Sequence, residues 1–195
     1  MKLTVKMLSV ALATAGLVTL GSSIASAQDV YKVNYFSNNV AAAPDATLRI
    51  DNPGLTYGNL CAMIYVFDND QQLSECCGCI ETHNGLRTLS VKKDLTSNPL
   101  TGVISNNGMI KIISAPLNVA APELCEPFPN VKPTANLRAS VTHIQNIVGT
   151  AYPITETEFS DSTLGPTELA NLQAQCNFIE ILGSRHGICT CGTGD

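Results

Sequence analysis

From residue 30 to about 159 the chain runs in short β-branched and aromatic stretches broken by Asn, Gly, Pro and Asp, the pattern of an all-β domain. Residues 30–36 (VYKVNYF) alternate, which puts Tyr31, Val33 and Tyr35 on one face of a strand and onto the core. A second run, 46–50, closes at Asp51-Asn52-Pro53-Gly54, a turn sequence. Residues 60–67 (LCAMIYVF) are almost wholly apolar and predict a central strand buried on both faces, after which Asp68-Asn69-Asp70 turns the chain. A shorter strand is expected over 86–91, and a hairpin over 103–113 around Asn106-Asn107-Gly108. Prolines 116, 122, 127, 129 and 133 forbid a central strand across 115–133, so that stretch reads as a loop. Two further strands are expected over 137–147 and 153–159.

Only one segment has helical periodicity. Pro166 suits a first helical position, Leu169, Leu172, Cys176 and Ile179 recur at helical spacing, and Gly183 supplies a stop, so 166–182 predicts a helix. The whole reads as an antiparallel β-sandwich of about seven or eight strands with one C-terminal α-helix, without internal repeat.

The first 27 residues stand apart from this pattern. Lys2 and Lys6 make a positive start, residues 7–20 an apolar core and Ala25-Ser26-Ala27 a small-residue cleavage site, which is the layout of a secretory signal peptide. The apolar core is roughly 14 residues where about 20 span a bilayer, so an anchor is the weaker reading. The expected mature chain is a single disulfide-rich domain over 28–195, secreted and without a membrane span. Removing 1–27 takes two of the 11 basic side chains and no acidic one, leaving a net charge near −7 in place of −5. Excess acid over base argues against nucleic acid as a partner. With 45% hydrophobic and 14% charged residues the chain is neither disordered nor fibrous.

Eight cysteines, Cys61, Cys76, Cys77, Cys79, Cys125, Cys176, Cys189 and Cys191, all follow the leader. An even count in an exported chain predicts four disulfides, with 105 pairings open. A ring between the neighbours Cys76 and Cys77 would strain the peptide between them, so each should reach a distant partner, and the loop Cys76-Cys77-Gly78-Cys79 would tie to three other places. A tail folding back past Gly183 brings Cys189 or Cys191 within reach of Cys176. Cys125 pins the proline-rich loop.

Each cluster of reactive side chains admits a chemical reading beside the structural one. Cys79-x-x-x-His83 and His186-x-x-Cys189-x-Cys191 offer soft-metal ligands, but at no established finger spacing. Cys76-x-x-Cys79 has the formal thiol-redox spacing without a βα setting. His143, His83 and His186 belong to no nucleophile-elbow or zincin motif and read as structural or solvent-facing. Glu156 and Glu158, about 7 Å apart on one strand face, read as a solvated face in place of a glycosidase pair. Asp68-Asn69-Asp70 lacks the Gly and Glu of a calcium loop. No catalytic, cofactor or metal residue is assigned.

The strings 60–67, ECCGC (75–79), LTSNPLTG (95–102), ELANLQAQC (168–176) and ICTCG (188–192) resemble a group of exported bacterial cysteine-rich proteins. That resemblance implies a bacterial exported protein and carries over no activity and no site residues. The expected function is a non-enzymatic structural or interaction protein, a surface or matrix component or an assembly subunit, whose partners are other copies of itself or a cell-surface protein. An N-terminal strand starting just after the cleavage site suits strand exchange between subunits, though pairing within its own sheet is the simpler reading. The alternative is a Cys/His metal-binding or thiol-redox protein.

Overall fold

The computed structural model describes residues 30–38, 43–55, 58–117, 125, 133–134, 136–144 and 148–192. The leader expectation lies outside them. The described chain is mainly β: strands β1 (Val30–Ser37), β2 (Thr47–Asp51), β3 (Leu60–Asp68), β4 (Leu73–Glu81), β5 (Leu86–Ser90), β6 (Asn107–Pro116), β7 (Arg138–Ile144), β8 (Ile154–Glu158) and β9 (Ser160–Thr163), then helix α1 (Pro166–Leu182). They form a five-stranded sheet, β4-β3-β6-β1-β9, and a four-stranded sheet, β5-β2-β7-β8, every pairing antiparallel.

The helix packs on the outer face of the larger sheet, so that sheet is covered on both sides. This explains the unbroken apolar run of β3. Ala62, Ile64 and Val66 join Phe36, Leu48, Ile50, Ile110 and Ile112 between the sheets, while Cys61, Met63 and Tyr65 join Tyr31, Ile113, Leu172 and Ile179 beneath the helix. A strand buried on both faces has no polar side to alternate with. Helix α1 matches its predicted bounds, and Leu172, Cys176 and Ile179 are buried as their spacing requires.

Four expectations are corrected. On β1, Tyr31 is buried and Val33 packs beneath the helix, but Tyr35 is 56% exposed, and the anchor between the sheets is Phe36 from the opposite face. The hairpin around Asn106-Asn107-Gly108 is absent: Val103 and Ile104 lie in an exposed loop, and Asn107 and Gly108 already belong to β6, paired with Ser37 and Phe36 of β1. Glycine stands at 108 because a Cβ there would lie 2.0 Å from the Phe67 carbonyl oxygen and 2.8 Å from the Phe36 ring. The Cys76–Cys79 cluster is not a loop but the middle of β4, paired with Ala62 to Tyr65 of β3. Finally, β9 continues the chain of β8 past the buried Phe159, so residues 154–163 leave one sheet at β7 and enter the other beside β1. Residues 145–147 of the expected strand, and most of the proline-rich stretch, lie outside the described residues.

β1 lies inside its sheet, between β6 and β9 of the same chain. Among the described residues no helix is long and apolar enough to cross a membrane.

Candidate functional site

The chemistry of the molecule gathers on β4. Successive side chains of a strand point to opposite faces, so Cys76 faces the helix while Cys77 and Cys79 face the other way. Cys76 is bonded to Cys176 on α1, Cys77 to Cys189 and Cys79 to Cys191, at Cα separations of 5.9, 5.2 and 5.5 Å. The fourth bond joins Cys125 to Cys61 of β3. All eight cysteines are thus paired. The expected return of the tail onto the helix through Cys176 is corrected: the tail passes the helix and lies along β4 itself.

Alternation explains how adjacent cysteines avoid a strained ring. It also explains why Cys77 and Cys79, two apart, meet Cys189 and Cys191, likewise two apart, as successive rungs between parallel segments. Backbone bonds set that register: the Cys76 N–H donates to the Gly187 carbonyl (2.8 Å) and the Cys189 N–H to the Cys76 carbonyl (3.2 Å). A tight turn delivers the tail there, with Ser184, Arg185 and Gly187 all at positive φ.

Charged groups surround the two rungs. Arg87 of β5 donates from Nε to the Glu81 carboxylate (2.8 Å), from one terminal nitrogen to the Cys191 carbonyl (2.6 Å) and from the other to the Ile80 carbonyl (2.8 Å). One side chain thereby ties both sheets and the tail. Thr190 donates its N–H to the Asp94 carbonyl (2.8 Å). Ile80, Glu81, Arg87, Lys93 and Asp94 line an open cavity of about 460 Å³, as does Cys191, which is partly exposed. The sulfurs of Cys77, Cys79 and Cys191 lie within 4.8 Å of one another.

Glu75, buried in β4 beside this ladder, accepts the Asn98 N–H at 2.8 Å on one oxygen, while the other has no partner. Burial pushes its carboxyl up to about 7, against the smaller opposing effect of that hydrogen bond. Asn98 in turn accepts the Gly187 N–H (2.6 Å), so Glu75 underpins the turn that seats the tail.

The histidines do not converge with the cysteines: the sulfur cluster contains no histidine, and His83 and His186 are exposed. His143 is buried, with Nε2 2.6 Å from the Thr157 hydroxyl, Nδ1 unpartnered and its ring stacked on Tyr35 at 4.1 Å. Burial lowers its pKa. Glu156 and Glu158 are exposed as expected, Glu156 pairing with Ser140 and Arg49 at 2.6 and 2.9 Å. Asp68 accepts the N–H groups of Asp70 and Gln72, both at 2.9 Å, and so closes the β3–β4 turn.

A second surface feature was not legible from periodicity. Helix α1 is apolar beyond its buried stripe: Phe178, Ile181 and Leu182 are 54, 69 and 62% exposed. Of the three, Phe178 borders a groove of about 500 Å³, whose walls are Phe67, Leu73, Leu100 and Ile179 together with the polar Gln71, Gln72 and Gln175. Helical spacing marks which residues face inward, and it is silent on apolar residues left outside. Glu75 and Arg87 were equally missed, one inside a cysteine-rich run read as a loop, the other on a short edge strand.

No family model, no curated protein and no solved structure matches this chain.

Proposed function

We propose that this chain is an exported, non-catalytic structural or interaction protein, a component of a bacterial cell surface, extracellular matrix or larger assembly. The observation that carries the reading is the placement of the disulfides. Three of four fasten the helix and tail to one strand, with sequence separations of 100, 112 and 112. Closing the first ring of that length restricts the unfolded chain by about 4–5 kcal/mol in the chain-entropy treatment, and the other two, nested with it, add smaller amounts because each then closes a much shorter ring. Such reinforcement suits a protein that persists outside the cell, where thiols oxidise.

The exposed apolar end of α1 supports an interaction role, since contiguous apolar surface of this kind marks contact sites. The helix is locked at Cys176, so it offers that surface without an ordering cost on binding. In a strand-exchange form of the same proposal, β1 of one copy would enter between β6 and β9 of another, using the registers it makes within its own chain.

The test is sedimentation velocity and electron microscopy on native material recovered from the producing cells. Ordered assemblies, or a stoichiometric complex with an envelope or extracellular protein, are expected. Discrete monomers without a bound protein in that material would overturn the proposal.

A further inference from the structure

The two rungs joining the tail to β4 form a four-sulfur cluster. We propose that Cys77, Cys79, Cys189 and Cys191 are a redox-gated site for a thiophilic divalent cation, closed as two disulfides when oxidised and able to take one Zn²⁺ or Cd²⁺ when reduced. Structural zinc is held tetrahedrally by four ligands, commonly four thiolates. Here Cys-x-Cys on β4 faces Cys-x-Cys on the tail. The sulfurs of Cys77, Cys79 and Cys191 lie within 4.8 Å of one another, and that of Cys189 is bonded to Cys77.

The rungs are not the only attachments between these segments. The parallel backbone bonds at Cys76, the Thr190 N–H to the Asp94 carbonyl and the Arg87 guanidinium on the Cys191 carbonyl hold the tail independently of Cys77 and Cys79. The four thiols would therefore stay together after reduction. Beside the cluster the cavity wall carries Arg87 and Lys93 together with Glu81 and Asp94, with Arg87 paired to Glu81, so the charged lining is balanced.

Access sets the order of opening. Cys191 alone of the four is only partly buried, and it lines the cavity. A reductant thiolate attacks the Cys191 sulfur, the Cys79–Cys191 bond breaks, and Cys79 leaves as thiolate; a second reductant thiol then resolves the mixed disulfide. Repeating this at Cys77–Cys189 consumes one more dithiol equivalent, with each dithiol oxidised to its cyclic disulfide. Binding of the cation releases the protons of the four thiols, and exchange with two equivalents of a small-molecule disulfide, each reduced to its dithiol, re-forms the two protein disulfides and expels it.

The experiment uses the exported chain with its disulfides formed, reduced anaerobically by a phosphine, with Cd²⁺ or Zn²⁺ added and the stoichiometry read by native mass spectrometry. One ion per reduced chain and none on the oxidised chain are expected, with Cd²⁺ giving the ultraviolet charge-transfer band of thiolate ligation. Cys189→Ser with Cys191→Ser should weaken binding by roughly 100-fold or more, and Cys61→Ser with Cys125→Ser should leave it unchanged. Alkylation mapping during partial reduction should label Cys79 and Cys191 first. If the reduced chain unfolds without metal but folds with one equivalent, the proposal stands; unfolding in both cases overturns it. It is equally overturned by absence of a stoichiometric ion, by binding that survives loss of Cys189 and Cys191, or by the Cys61–Cys125 bond opening first.

Discussion

A carboxyl buried without a full set of partners must make folding pH-dependent, and Glu75 is the residue where this is sharpest. At pH well below 4.5 it is protonated in both states. Between 4.5 and about 7 the unfolded chain ionises while the fold keeps the proton. The unfolded state then binds fewer protons, so stability falls as pH rises, by up to about 1.4 kcal/mol per pH unit across that window. Glu75→Gln keeps an acceptor for Asn98 and removes the charge, so its urea midpoint should hold steady over this range where the native protein's declines. Buried His143 has the opposite sign, costing stability as pH falls and the unfolded imidazole protonates. For that reason the comparison is between variant and native protein at each pH. An equal decline in both would remove Glu75 as the cause. Gly78 makes a separate, purely steric prediction. A Cβ there would sit 1.8 Å from the Cys125 carbonyl oxygen, so Gly78→Ala should cost at least about 1–3 kcal/mol of overpacking in denaturant titration.

Among the elements, what could be foreseen follows from how each strand signals itself. β3 was legible because a run buried on both faces is apolar throughout, and α1 because Pro166, the Leu169 to Ile179 spacing and Gly183 act together. β4 was not, since its buried positions are filled by cysteine, serine and glutamate, LSECCGCIE, and cysteine, a carrier of chemistry, here also serves as a small buried apolar residue. β9, Ser-Asp-Ser-Thr, has no apolar position at all and is a strand only because Phe159 anchors the chain between the sheets. Asn107-Gly108 carried a strong turn signal that lost to tertiary pairing. Of the site, the eight cysteines and their long reach were evident; the pairing was not, because it depends on the parity of an unrecognised strand. The helix supplies the test at this scale. Cys76→Ser with Cys176→Ser removes the bond that holds α1 to β4; with Cys77–Cys189 intact that bond closes a ring of only roughly 15 residues, so the expected loss is about 3 kcal/mol, with hydrogen-exchange protection lost first in α1. A helix whose protection stays unchanged would mean that Leu172 and Ile179 alone hold it.

For the whole molecule, the open sides of the sandwich decide where another protein can attach. On one side residues 154–163 run from sheet to sheet, and β8 presents Glu156 and Glu158, charges that discourage edge pairing. On the other, the tail lies along the outer edge of β4, and Arg87 bridges β5, Glu81 and the Cys191 carbonyl. Strand-to-strand association is thus obstructed at both sides, and the exposed apolar end of α1 becomes the surface on which the proposed assembly depends. Phe178→Asp with Ile181→Asp should abolish association of the native material while changing stability by no more than about 0.5 kcal/mol, because both side chains face solvent. Deleting residues 28–36 should instead unfold the chain, since Phe36 and Tyr31 are buried on opposite faces of an interior strand and losing each costs about 3 kcal/mol or more. The two variants separate the alternatives through sedimentation and thermal melting. Association that survives the α1 charges, in a protein where exchange between labelled copies moves residues 30–36 from chain to chain, would transfer the interface from the helix to β1.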